Sequence, residues 1–131
     1  MPRYLLDASA LYPILEKPSH YISVLEDSVI LDLTLYEIGN AALVAQRRGL
    51  LGNYRSFLKS FSKAASMLPI ERISPEDIEG IGRVAEETGL TYYDAAYVYM
   101  AERLGLTLVT EDREILEKAP HVARRLRDLV G

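Results

Sequence analysis

An α/β domain with a parallel sheet covered by helices on both faces is the fold that the sequence predicts. Three observations predict it. Short apolar runs alternate along the chain with longer segments of helical periodicity. Gly and Pro residues punctuate the boundaries between them. The chain of 131 residues is 49% hydrophobic and has no cysteine, so it can bury one core without disulfide or cysteine-bound metal. The expectation is one domain over residues 1–131, with a mainly parallel sheet of four to five strands.

The first apolar run, Tyr4 to Leu6, reads as a buried strand that ends at Asp7. Helical patterns follow near Ser9 to Glu16 and Tyr21 to Asp27, then a second strand from Val29 to Leu33. Leu35 to Arg48 and Tyr54 to Met67 carry apolar residues at helical spacing, with Gly49 and Gly52 between them where helices end. Pro69 to Ile73 is a candidate short strand. Ser74 and Pro75 then start a helix running from Glu76 to Thr88, because the donor that proline lacks is not needed in a first turn. Tyr92 to Leu104, closed by Gly105, is the next helix, and Leu106 to Val109 the next strand. A further helix starts near Arg113, and the tail from Ala119 to Gly131 reads equally as a strand or a helix. Continuously apolar strands alternating with helices are the pattern of a sheet buried on both faces.

Composition narrows the function. A net charge of -4 argues against nucleic-acid binding through a general basic field, although bound divalent cations reverse the local sign of an acidic pocket. No apolar stretch approaches the roughly 18 residues of a membrane span, and the start, MPRYLLDASAL, has no cleavage signal, so a cytoplasmic protein is expected. The absence of cysteine removes thiolate chemistry. The two histidines, His20 and His121, form no paired ligand motif, so any metal site is built from oxygen.

The acids then become the informative residues. Asp7 and Asp112 lie at or just beyond the carboxyl ends of predicted strands, while Glu37 and Asp94 lie in the first turns of predicted helices. In a parallel α/β sheet these positions share one edge, the edge where ligands bind. Each acid also has an ordinary explanation. TLYE from Thr34 to Glu37 and TYYD from Thr91 to Asp94 match the capping box, and Asp7 and Asp112 stand where they would cap the following helices. Capping does not explain why all four share a rim. Like charges about 4 Å apart repel by roughly 1 kcal/mol in water and by several times that near a protein surface. A fold that gathers them holds them for a cation, and an all-oxygen set selects Mg2+ or Mn2+. Such carboxylates activate water and stabilise the leaving oxygen of a phosphodiester, which points to a metal-dependent nuclease.

Four segments carry a resemblance as well: YLLDASAL at Tyr4 to Leu11, LTLYEIGNAAL at Leu33 to Leu43, LTYYDAAYVYMAERLG at Leu90 to Gly105 and LTLVTEDREI at Leu106 to Ile115. Together they resemble the PIN-domain ribonucleases, and within them the VapC-type toxins of toxin and antitoxin pairs. The resemblance spans Tyr4 to about Leu116. It implies a three-layer α/β/α sandwich and endoribonucleolytic cleavage with Mg2+ or Mn2+. It further implies a homodimer and an antitoxin that blocks the site. The family's four acids correspond to Asp7, Glu37, Asp94 and Asp112, and its small hydroxyl positions to Ser9 and Thr110. Asn40, one turn beyond Glu37 on the same helical face, is a candidate donor to that carboxylate. Glu111 is expected to point away from the cluster, since neighbours on an extended segment face opposite sides.

Other signals are weaker. GIGRVA from Gly80 to Ala85 has the glycine spacing of a dinucleotide loop but sits inside a predicted helix, so helix packing explains it better. Most of the nine tyrosines, such as Tyr97 and Tyr99, occupy apolar helix positions and read as core or subunit packing. Arg47, Arg48, Arg55, Lys59 and Lys63 cluster on two consecutive helices; they are candidate RNA contacts, against the commoner reading of a solvated face. An aspartyl phosphotransferase would need a second acid two residues after Asp7, where Ser9 stands, and a Lys directly after the late strand. A PIN-like module kept only for binding would have lost carboxylates that this chain retains.

Overall fold

The computed structural model describes residues 2–130. Five parallel strands form one sheet: β1 Tyr4–Leu6, β2 Ser28–Leu31, β3 Ile70–Glu71, β4 Thr107–Val109 and β5 Ala123–Arg124. Their spatial order is β3-β2-β1-β4-β5. The helices are α1 Ala8–Glu16, α2 Ile22–Glu26, α3 Asp32–Arg47, α4 Tyr54–Ala65, α5 Ile78–Thr88, α6 Tyr92–Leu104 and α7 Arg113–Lys118. The expected parallel sheet between two helical layers is therefore what the chain forms.

The layers follow from the two-residue period of the strands. Leu5, Val29, Leu31 and Leu108 point to one face and pack against Tyr97, Val98, Met100 and Ala101 of α6. Leu6, Ile30 and Val109 point to the other, where they meet Leu11, Ile14, Ile38 and Phe61 of α1, α3 and α4. Every one of these strand side chains is buried, as a sheet covered twice requires. Outside α6 lies α5, whose Gly80 faces the ring of Tyr99. A Cβ on Gly80 would sit 2.1 Å from that ring, so close packing of two helices explains this glycine.

Two expected boundaries shift. The apolar run after Ser28 does not stay extended to Leu33: β2 ends at Leu31 and α3 begins at once, at Asp32. Thr34 therefore lies inside the helix and cannot cap it. The tail resolves into both alternatives in miniature, a two-residue strand and a 3-10 turn at Leu126–Asp128. Among the described residues no helix is long and apolar enough to cross a membrane.

Topology positions the functional edge. From β1 the sheet grows through β2 and β3 in one direction and through β4 and β5 in the other. At the carboxyl ends of β1 and β4 the chain leaves the sheet towards opposite sides, which opens a crevice of the kind in which α/β proteins bind ligands.

Candidate active site

Asp7 is the first residue past β1 and the N-cap of α1, where its Oδ1 accepts from the backbone N–H of Ala10 at 3.0 Å. The same oxygen accepts from Ser9 Oγ at 2.7 Å, and Oδ2 accepts from the hydroxyl of Thr110, just past β4. Ser9 Oγ in turn accepts from the Glu111 N–H at 2.9 Å, and Thr110 Oγ1 from the Asp112 N–H at 3.0 Å. The ends of β1 and β4 are thus tied together around one buried carboxylate, 5% exposed. Burial pushes the Asp7 carboxyl up to about 6, winning over the donors from Ser9, Thr110 and Ala10 that favour its charged form; the charge of Glu37 adds to the rise.

Asp112 is the N-cap of α7 and accepts from the Ile115 N–H at 3.1 Å. Asp94 stands in the first turn of α6 behind Thr91, whose hydroxyl oxygen accepts from the Asp94 N–H at 3.1 Å. Partial burial and then the charges of Asp112, Glu37 and Glu114 hold the Asp94 carboxyl above its ordinary value. Glu37 lies in the second turn of α3. Its partner is Tyr97, a core residue of α6 whose hydroxyl donates to Glu37 Oε1 at 2.5 Å. That hydroxyl has only one proton, so the 2.7 Å contact between Thr34 and Tyr97 is a donation from Thr34. Burial, and then the bond to Glu37, hold the Tyr97 phenol far above its usual range, so it stays a donor.

Capping and clustering both occur. Asp7 and Asp112 cap helices and still belong to the set. Glu37 caps nothing, and its TLYE pattern serves instead to bring Thr34 and Glu37 to Tyr97. All four carboxylates, with Ala8, Ser9 and Tyr97, line one notch of about 160 Å³ at the β1/β4 crevice. A larger groove of about 540 Å³ between α1 and α4 has Glu16 as its only acid, so size alone does not locate the chemistry.

The donor set fits a hard divalent cation. Every titratable wall group except the phenol of Tyr97 is a carboxylate, and the lysines, arginines and histidines that form ion pairs do so with Asp27, Asp77, Glu114 and Glu102 instead. The ring is nonetheless wide: among the described residues no three Asp, Glu or His side chains are close enough to ligate one ion as they stand. A cation that keeps several of its waters, as Mg2+ does, suits such a ring better than one that needs a tight protein cage.

The remaining sequence expectations separate. Ser9 and Thr110 reach the site and hold Asp7. Asn40 does not hold Glu37: it is exposed one turn further along α3, and Tyr97 makes that contact instead. Glu111 points away, its Oε2 accepting from the Leu126 N–H at 2.9 Å. Arg47 and its C-cap neighbour Arg48 lie at the far end of α3, ten and eleven residues beyond Glu37 or about 15 Å along a helix, and line no wall of the notch. Tyr97 is the residue of the notch that sequence reading assigned to core or subunit packing. Its spacing of three from Asp94 on one helix face was the available signal.

The chain matches the PIN domain family over residues 4–121. It is 42% identical over 115 residues to a Pyrobaculum aerophilum protein named exonuclease VapC9, covering 88% of this chain and 84% of that one. To ribonuclease VapC3 of the same organism it is 32% identical over 129 residues, 90% of this chain and 95% of the relative. Among solved structures it resembles a crystal structure of a Pyrobaculum aerophilum protein with a TM-score of 0.87 and 38% identity, over 98% of this chain and 87% of that one. It also resembles a chain from a toxin-antitoxin complex of Klebsiella pneumoniae with a TM-score of 0.69, over 94% and 97% of the two chains; at 19% identity that likeness is one of fold.

Proposed function

From the premise that this chain belongs to the PIN-domain family, we propose that it is a VapC-type toxin: a Mg2+- or Mn2+-dependent endoribonuclease that hydrolyses RNA phosphodiester bonds. The observation that carries this reading is the notch lined by Asp7, Glu37, Asp94 and Asp112, carboxylates from four separate elements with no lysine or arginine among them. The names of both VapC relatives support nuclease activity, one as an exonuclease and one as a ribonuclease.

The four acids are the groups that would hold the ion. A hard divalent cation bound there supplies Lewis acidity, acidifying a water and stabilising charge on the oxygens of a phosphodiester. Asp7 has about four lone-pair sites, of which Ser9, Ala10 and Thr110 occupy three, so the chain fixes the carboxylate and leaves one site to the notch. Tyr97 fixes Glu37 in the same manner from inside the core. Asp94 and Asp112 complete the rim from the amino ends of α6 and α7, so the donors are oriented before substrate arrives.

The same reading makes a cognate antitoxin the regulator, a homodimer the assembly and the cytoplasm the compartment. The fold shared with a chain of a toxin-antitoxin complex supports the first of these.

Cleavage of RNA with and without divalent metal tests the proposal. We expect cutting in Mg2+ or Mn2+ and none in excess EDTA. Folded Asp7→Asn and Asp94→Asn proteins should be at least about 1,000-fold slower, the scale on which removing one member of a cooperating catalytic set acts. Circular RNA separates the two modes of attack, because only an endonuclease opens it. Cutting that persists in EDTA rejects the metal mechanism, and a folded, metal-loaded protein that cuts no RNA leaves a PIN-like binding module as the reading.

A further inference from the structure

The loop from Thr110 to Asp112 joins β4 to α7 and serves the notch at both ends, Thr110 by holding Asp7 and Asp112 by lining the wall. Its backbone rests on the site: the Glu111 N–H donates to Ser9 Oγ and the Asp112 N–H to Thr110 Oγ1. Behind it lies the tail. Leu108 N–H donates to the Val122 carbonyl at 2.8 Å and Thr110 N–H to the Arg124 carbonyl at 3.0 Å, the regular steps of the β4–β5 ladder. The next step of a parallel ladder would be from Leu126 N–H to the Thr110 carbonyl. That N–H goes instead to the Glu111 carboxylate, at 2.9 Å. A side chain therefore continues the ladder where the backbone leaves it. Its anchor is firm, since Leu126 is only 3% exposed and packs in the core cluster with α1, α3 and α4.

We propose that Glu111 is a positioning residue of the acid notch: by gripping the tail with its carboxylate it fixes the loop that orients Ser9 towards Asp7 and Asp112 towards the cation. The inference rests on the nuclease reading above. The bonds form one unbroken chain, from Leu126 N–H to Glu111 Oε2, from Glu111 N–H to Ser9 Oγ at 2.9 Å, and from Ser9 Oγ to Asp7 Oδ1 at 2.7 Å. A serine hydroxyl has one proton, and with the Glu111 N–H donating to its oxygen that proton is directed to Asp7. One residue further on, the same loop sets where Asp112 caps α7 with Oδ1, and so where its other oxygen faces. An ordinary explanation competes with this one: the 3-10 turn at Leu126–Asp128 has an N-cap, Arg125, that makes no side-chain bond, and Glu111 supplies the missing acceptor. Capping accounts for the carboxylate. It does not account for its being carried by the residue whose own amide orients Ser9.

Glu111→Ala and Glu111→Gln both remove a charge, and only the glutamine keeps an acceptor for Leu126, so the difference between them separates the bond from the charge. Calorimetric titration with Mn2+ alone should give an affinity about tenfold weaker for Glu111→Ala, the scale on which outer-shell partners act, and within about twofold of wild type for Glu111→Gln. In metal-free protein, amide exchange at Glu111 and Asp112 should speed up by about tenfold in the alanine variant only, the weight of one hydrogen bond. RNA cleavage by Glu111→Ala should fall at limiting Mn2+ and return to the wild-type rate as Mn2+ saturates. Glu117→Ala, which removes an exposed charge on α7 outside the notch, should change none of these. Equal Mn2+ affinity in Glu111→Ala and wild type overturns the proposal and leaves Glu111 a cap of the tail. A glutamine variant as weak as the alanine overturns it too, by assigning the effect to charge. Weakened Mn2+ binding in Glu111→Ala, in a protein that cuts no RNA, keeps the positioning role and rejects the nuclease. Metal-dependent cutting with a Mn2+ affinity indifferent to Glu111 does the reverse, and a wild type that binds no Mn2+ rejects both.

Discussion

Asp7 and Asp77 are almost equally hidden, 5% and 3% exposed, yet the protein treats them in opposite ways. Asp77 closes the start of α5. It accepts from the backbone N–H of Ser74 at 2.9 Å and from the Ser74 hydroxyl at 3.2 Å, and it meets Arg103 of α6 at 3.3 Å. The Ser74 N–H first, then the Ser74 hydroxyl and the Arg103 charge, hold its carboxyl below the usual range despite burial. Asp7 has donors too but no cation, and Glu37 nearby; burial wins and the carboxyl rises to about 6. A residue's exposure alone does not decide the charge state of an acid. At Asp77 the Ser74 donors, with Arg103 adding to them, outweigh the cost of burial; at Asp7 burial outweighs the donors, and no cation of the chain stands beside it.

The sharpest way to break this contrast is to neutralise both residues and compare stabilities in chelator. Above pH 6, Asp7 is ionised in both the folded and the unfolded chain, and its folded value of about 6 against 3.8 unfolded means that folding opposes its charge by up to about 3 kcal/mol. Asp7→Asn should therefore raise the denaturation midpoint at pH 7.5 in EDTA, and added Mn2+, expected to raise the wild-type midpoint, should leave that of the variant unchanged. In the wild type this contribution worsens as pH rises from about 4 to about 6. A midpoint that falls in Asp7→Asn would place Asp7 with Asp77, as a purely structural cap.

Asp77→Asn should act with the other sign and a smaller size. It gives up a charge-assisted pair of bonds, so stability should fall by about 1–2 kcal/mol at neutral pH, with cleavage per folded molecule unchanged. Because the folded value of Asp77 is depressed, its contribution is complete above pH 3.8 and is lost as pH falls through the folded value. Titrating both variants against wild type between pH 3 and 7 should give slopes of opposite sign. The smallest expected effect comes from Tyr97→Phe, which keeps the ring in the core and removes the donor to Glu37. Metal affinity or cleavage should fall roughly tenfold, about 1.4 kcal/mol, as losses of outer-shell partners do. An unchanged metal isotherm would show that Glu37 needs no anchor.

Much of this arrangement was legible in the residues. β1, β4 and α6 appear where apolar period, a capping residue and a closing glycine agree, and Gly105, at φ 69°, ends α6 as expected. The start of α3 was not legible. Five of the seven residues from Val29 to Leu35 are apolar, strand and helix read alike in so short a run, and the N-cap, Leu31, makes no side-chain bond that would mark it. A misplaced start makes TLYE look like a cap, when Thr34 is buried and tied to Tyr97. β5 is two residues long, too short for any period to register. The convergence of the acids followed from topology alone. Tyr97 did not, because periodicity says which face a tyrosine takes and nothing about what its hydroxyl reaches.

The knot around Asp7 affects how an inert version of this protein is best made. Removing the Asp7 side chain unfastens Ser9 and Thr110, and through them the backbone at Glu111 and Asp112, so a silent protein with an altered surface would result. Asp94 is anchored only within its own first turn. A switched-off decoy built at Asp94 should keep the outline that substrates and inhibitors recognise, and would be the sounder bait for capturing either.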